Sequence, residues 1–315
     1  MKRIFLSLIF IIFMLSLLTG CGGSAKQESL KVAVLPVLDV FPLYVAQKQG
    51  YFEKNGIRVE LVPVASAPER DQLIQAGQVD GMLNELVATL FYNQGETRIQ
   101  NIRFARIATN KYPVFRILAS PGSGIKSPAD LKGKEVAISD GTVIEYTTDR
   151  LLEKAGVKPS EIKKVSIPKI PDRLSLLASS KVNAANMPDP TASLALRNGS
   201  TLVIDDTTYP EISHSVYSFS VESLKQKPQA VRAFLKAVEQ AVGDVNKDKA
   251  RWLEYLKELK IVPAEALENY ILPDYPAASV PSEAQFQDAL AWVKTKGLKG
   301  DPTYKDTVNA SFLPK

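Results

Sequence analysis

Ser139-Asp140-Gly141-Thr142, followed one turn on by Glu145 and Tyr146, is the segment best equipped to hold a small polar molecule. A short apolar run ends there, Gly141 permits a sharp turn, and hydroxyls stand where a helix should begin. Backbone N–H groups in a first helical turn lack partners inside the helix and carry the positive end of its dipole. They therefore attract acceptors and anions. Thr142 and Glu145 are also spaced as a capping box, which would account for Glu145 with no ligand at all. The same strand-end logic picks out other positions. Asp39 and Phe41 follow the first strand: Asp39 accepts from a ligand or caps a helix, and Phe41 stacks on a flat solute or fills the core. Asn84 and Glu85 follow a later strand and begin a helix, as ligand contacts or as helix cap and dipole partner. Asp189, in Met187-Pro188-Asp189-Pro190, has the same two readings. His214 lies between Ser213 and Ser215, past the last expected strand, as a ligand contact or a structural residue.

Counting residues narrows the chemistry. Cys21 is the only cysteine and His214 the only histidine. Disulfides within the chain, cysteine-ligated metal sites and multi-histidine zinc sites are therefore excluded. Neither a G-x-S-x-G elbow nor a Walker A loop is present. No cofactor or metal is expected. The candidate loops carry Asp39, Glu85, Asp140, Glu145 and Asp189 and no arginine. Carboxylates repel an anion and suit a donor-rich solute, so this reading favours a neutral or cationic nitrogenous ligand.

The elements that position these residues alternate from residue 30 onward. Strands are expected at 30–35, 57–61, 79–83, 102–109, 114–119, 135–138, 164–167, 182–187 and 201–204. Helices are expected at 42–54, 68–75, from 84 to about 93, and at 142–155, 172–179 and 190–196. Strand, helix, strand in succession indicates parallel sheets faced by helices, an α/β class. After Tyr217 the chain turns mainly helical: Val231, Phe234, Leu235, Val238 and Val242 form one apolar stripe, and further helices are read near 252–259 and 283–294.

The N-terminus follows another plan. Lys2 and Arg3 precede an apolar stretch from Ile4 to Leu18, a signal peptide's layout and short for a membrane span. Leu18-Thr19-Gly20-Cys21 resembles a bacterial lipobox, which implies lipidation of Cys21. Residues 1–20 then form the signal peptide and 21–29 a flexible tether. Losing Lys2 and Arg3 lowers the formal charge of +5 by two, too mild a balance to argue for nucleic acid. A length of 315 residues suits two lobes of ordinary size.

Phe41-Pro42-Leu43-Tyr44-Val45-Ala46, then Gly50-Tyr51-Phe52 and Gly56-Ile57, resembles the opening of the nitrate/sulfonate/taurine and thiamine-precursor family of ABC substrate-binding proteins. Ser127 to Ile138 looks like the start of that family's second lobe, and Gln229–Val245 and Tyr304–Leu313 are similar to its C-terminal helices. The resemblance implies a type II periplasmic-binding-protein fold, two α/β lobes joined by a two-segment hinge. Lobe one would comprise 30–110 and 215–315, lobe two 115–208, with crossings near 110–119 and 205–216. It further implies a monomeric, lipid-anchored extracytoplasmic protein, periplasmic or on the outer surface. Such a protein hands a small solute to an ABC permease and its ATPase, and binds no nucleic acid. An aminopyrimidine is the favoured solute, a sulfonate or nitrate the alternative. A pyrimidine-forming enzyme on the same fold and a purely structural surface lipoprotein are the competing readings.

Overall fold

The computed structural model describes residues 27–314. The expected signal peptide, Cys21 and most of the expected tether lie outside the described residues. Two five-stranded sheets organise the chain. The first contains β1 (Glu28–Val34), β2 (Ile57–Pro63), β3 (Gly81–Asn84), β4 (Ile99–Ile107) and β10 (His214–Ser220), in the order β2-β1-β3-β10-β4. The second contains β5 (Phe115–Ala119), β6 (Glu135–Ile138), β7 (Lys163–Ser166), β8 (Ala184–Pro188) and β9 (Thr201–Asp205), in the order β7-β6-β8-β5-β9. In each sheet three strands are parallel, β1 with β2 and β3, and β6 with β7 and β8. The neighbouring β10 and β5 run antiparallel to them. The chain passes between sheets through 108–113 and returns through 206–213.

Helices cover the sheets. α1 (Phe41–Lys48), α2 (Tyr51–Lys54), α3 (Ala67–Gln75) and α4 (Leu86–Tyr92) connect the first sheet's strands; α5 (Val143–Lys154), α6 (Ile170–Ala178) and α7 (Thr191–Arg197) connect the second's. The C-terminal part adds α8 (Val221–Gln226), α9 (Pro228–Lys247), α10 (Lys249–Leu259), α11 (Glu283–Thr295) and α12 (Tyr304–Thr307). The stripe on α9 is buried throughout, and Phe234 at its centre meets Phe52, Tyr217 and Phe219 at centroid distances of 5.7, 5.7 and 5.3 Å. Burial of that apolar face supplies most of this helix's stability.

Two expectations need correction. The helix read as 42–54 is two helices, because Gly50 takes φ 64° and breaks the run. That left-handed turn is one glycine adopts readily. The tether read as ending at residue 29 stops earlier, since β1 begins at Glu28, which pairs in register with Ile57.

α11 links the two lobes. Its flanking segments are tied to β4, through Phe104 N–H to the Ser279 carbonyl at 2.8 Å and Asn309 N–H to the Asn101 carbonyl at 2.9 Å. The helix itself reaches α5 of the other lobe. Trp292 Nε1 donates to Asp149 at 3.0 Å, Tyr146 Oη donates to Asp288 at 2.5 Å, Arg150 Nε donates to Asp288 at 3.0 Å, and Lys296 pairs with Glu145.

Candidate functional site

A cavity of about 60 Å³ lies between the sheets, lined from both. Its walls come from the carboxyl ends of the parallel strands: Leu35 and Val37 after β1, Leu83 to Glu85 at β3, Ser139 and Thr142 after β6, Pro168 after β7 and Pro188 at β8. Val114 and Phe115 and then His214 and Ser215, where the chain crosses, close the side. Ligands in open α/β sheets bind in this position, because there the helices begin and their unpaired N–H groups converge. The lining is mostly apolar, with a few polar groups set into it.

Six residues singled out from the sequence line this cavity: Asp39, Asn84, Glu85, Ser139, Thr142 and His214. Asp39 is buried; it accepts from Ser215 Oγ at 2.6 Å and faces Arg106 Nη1 at 3.5 Å. Asn84 gives its amide nitrogen to Thr89 Oγ1 at 2.8 Å, and its Oδ1 has no partner among the described residues. Thr142 donates to the Ser139 carbonyl at 2.8 Å and caps α5 by accepting from Ile144 N–H at 3.2 Å. Ser139 Oγ is buried and has no partner among the described residues, and neither has either ring nitrogen of His214. Burial pulls the His214 imidazole down to about 4, so at neutral pH it is uncharged, with one donor and one acceptor to offer. Buried polar atoms without partners are uncommon and costly. Asn84 Oδ1, Ser139 Oγ and the two His214 nitrogens all border this cavity, while others lie elsewhere, on Asn101, Asn186 and Thr307.

The other five do not line it. Phe41 is fully buried in the core, its ring 6.2 Å from Tyr255. Gly141 turns at φ 68° and donates its N–H to Glu145 at 2.8 Å. Glu145 then meets Lys164 at 2.9 Å and Lys296. Burial alone would raise its carboxyl, but the two ammonium groups and the Gly141 N–H outweigh it and hold the pKa below the usual range. Glu145 does not make the capping box read from its spacing, because its carboxylate goes to Gly141 and not to the Thr142 N–H. Tyr146 points to Asp288 and packs edge-on against Trp292. Asp189 takes Arg116 Nη1 at 2.6 Å, Ser193 at 2.9 Å and Tyr270 Oη at 2.6 Å, so its side chain bonds away from the cavity and does not cap α7.

Two charged lining residues escaped the sequence reading, and they change the electrostatics. Arg70 and Arg173 are fully buried and both line the cavity. They come from helices rather than strand-end loops, each the fourth residue of its helix: Ala67-Pro68-Glu69-Arg70 opens α3, and Ile170-Pro171-Asp172-Arg173 opens α6. An arginine in a first turn opposes the helix dipole. That recurring anomaly was the available signal. Each guanidinium also reaches a carbonyl of the neighbouring strand, Arg70 to Leu83 at 3.2 Å and Arg173 to Asn186 at 2.9 Å.

Their surroundings differ. Arg70 lies between Asp71 at 2.8 Å and Glu85 at 3.2 Å. Burial alone would lower its pKa, but the two carboxylates more than reverse that. Arg173 donates only to carbonyls, those of Asn186, of Ile167 at 2.6 Å and of Pro168 at 3.3 Å. No carboxylate answers its charge among the described residues, and burial pulls its pKa down to about 10. It remains a cation at neutral pH, buried and uncompensated.

Two facing α/β lobes, a two-segment crossing and a cavity at converging strand ends define a solute-binding protein of the periplasmic type. Residues 38–250 match the family described as NMT1/THI5 like, and the chain belongs to that family. It is 23% identical over 331 residues to a putative aliphatic sulfonates-binding protein of Bacillus subtilis, covering 100% of this chain and 97% of that one. It is 25% identical over 238 residues to a putative ABC transporter periplasmic binding protein of Brachyspira hyodysenteriae, covering 73% of this chain and 68% of the other. Among solved structures, the alkanesulfonate-binding protein of Xanthomonas axonopodis pv. citri superposes with a TM-score of 0.74 at 18% identity, covering 88% of this chain and 96% of that one.

Proposed function

We propose that this protein captures a small organic anion in the cavity beside Arg173 and delivers it to an ABC permease. The observation that carries this reading is the Arg173 guanidinium: buried in the wall and answered by no carboxylate. A charge in that state costs several kcal/mol unless a counter-charge completes it. An anionic head group does so, helped by the first turn of α5 and by Ser139 Oγ. The apolar lining, Val114, Phe115, Ile144 and Ile170, suits a short hydrocarbon body. The sulfonate specificity named for the Bacillus relative agrees with this chemistry.

The acidic-loop reading that favoured an aminopyrimidine loses its premise. Of its five acids, Asp39 and Glu85 line the cavity, each facing an arginine. We hold the protein to be a binder and not an enzyme, tethered outside the membrane through acylated Cys21 in the Leu18–Cys21 lipobox. His214, its sole histidine, has neither a hydroxyl nor a carboxylate partner among the described residues to make it a catalytic base. Among the described residues no helix is long and apolar enough to cross a membrane.

Isothermal titration of the full chain with methanesulfonate, ethanesulfonate, nitrate and an aminopyrimidine tests the reading. Heat from the anions alone is expected. Binding of the aminopyrimidine alone would refute it, and product appearing during incubation would refute the binder assignment.

A further inference from the structure

Arg70 and Arg173 are equivalent groups of the two lobes. The likeness extends beyond the shared Pro-acid-Arg opening. Leu73 and Ile74 in α3 correspond to Leu176 and Leu177 in α6, Val79 before β3 to Val182 before β8, and Leu83, whose carbonyl holds Arg70, to Asn186, whose carbonyl holds Arg173. The spacing is unchanged through the whole stretch. At the two places where Arg70 has Asp71 and Glu85, Arg173 has Leu174 and Pro188. One scaffold thus carries two buried cations toward one cavity, and only the lobe-one copy is neutralised.

We propose that Glu85 is a specificity-determining residue: it occupies the lobe-one anion site built around Arg70, so that the cavity accepts a single anionic group, at Arg173, and rejects solutes charged at both ends. This rests on the anion reading above. The geometry supports the masking role. Both Glu85 carboxylate oxygens lie 3.2 Å from Arg70 Nη1, and Glu85 itself lines the cavity, where an incoming second anion would meet it first. Asp71 holds the outer side of the same guanidinium, Nε at 2.9 Å, from a partly exposed position. It therefore meets Arg70 from behind, and Glu85 is the carboxyl set between that guanidinium and the cavity, its pKa pushed up by burial and held back by Arg70. Asn84 Oδ1, unpaired beside it, adds an acceptor that a second anion cannot use.

The test is calorimetric titration of the full-length wild type and Glu85→Gln with ethanesulfonate and with ethane-1,2-disulfonate. Glutamine keeps the shape and a hydrogen bond to Arg70 while removing the charge. Wild type should bind ethanesulfonate and give no heat with the disulfonate. Glu85→Gln should bind the disulfonate, with an affinity gain of at least about tenfold, and should keep or improve ethanesulfonate binding. Thermal melts establish that the variant is folded, and Asp71→Leu in the Glu85→Gln background, which copies the lobe-two surroundings, should extend the gain. If ethanesulfonate binds both proteins and the disulfonate binds neither, the masking role of Glu85 is wrong while the Arg173 reading stands. If neither anion binds either protein, both fall together.

Discussion

Charge at single residues decides what this cavity can hold, and two buried titratable groups show how finely the interior is balanced. His214 is pulled down to about 4 by burial, and Asp206 is pushed up to about 6 by burial against the Ser213 hydroxyl and the Phe115 and Val114 N–H groups. For His214 the unfolded chain binds the extra proton between its ordinary 6.5 and 4, so this group's contribution to stability is lost as pH falls. For Asp206 the folded chain binds the extra proton between 3.8 and 6, so its contribution is lost as pH rises. The two slopes oppose each other over nearly the same window. Each single replacement should therefore tilt the stability curve between pH 4 and 6 by about 1.4 kcal/mol per pH unit. His214→Gln should lose stability, relative to wild type, as pH rises, and Asp206→Asn as pH falls. Urea titrations at a series of pH values read this directly; parallel curves for all three proteins would contradict it. The residue scale was also where the sequence was least legible. Strand-end loops gave Asn84, Ser139 and Thr142 because position alone places them. Arg70 and Arg173 reach the cavity from inside a helix, and only their fit against the strand carbonyls turns them inward.

At the scale of elements, strands and helices followed from periodicity and caps, and α9 from its apolar stripe. Ser127 and Asp130 cap the short turn before β6, with Asp130 accepting from Ser127 N–H at 2.9 Å. What periodicity could not show was where α11 goes. Its sequence gives an amphipathic helix, but its role depends on Trp292, Asp288 and Lys296 meeting Asp149, Tyr146, Arg150 and Glu145 from a distant part of the chain. Because both ends of α11 are tied to β4, these contacts join the lobes at their present separation. Lys296→Met should weaken this join between the lobes. A partly exposed pair contributes up to about 1 kcal/mol, so ligand affinity should fall about two- to fivefold, and the radius of gyration in the ligand-free state should rise by small-angle scattering. Lys31→Met, which removes an exposed pair with Glu60 inside the first sheet, should change neither. Equal effects from the two variants would show that α11 has no such role.

The whole molecule was legible as a class before any site was. Alternating elements, a late helical stretch and the Phe41–Ile57 and Ser127–Ile138 motifs pointed to two α/β lobes, and the sheets have that arrangement. The solute was not legible, because on the reading proposed above its recognition turns on one guanidinium with no carboxylate partner among the described residues, and on which acids are already neutralised. A ligand that bridges the lobes stabilises closure by its differential affinity for the closed form, and the cavity offers groups from both: Asn84 and His214 from one sheet, Ser139 and Arg173 from the other lobe. A crystal structure of the protein grown with ethanesulfonate, with the sulfur located by its anomalous signal, tests this most directly. The account predicts the sulfonate between the sheets, its oxygens within hydrogen-bond reach of the Arg173 guanidinium. A sulfur found only on the outer surface, or Arg173 paired with a carboxylate in place of the ligand, would contradict it.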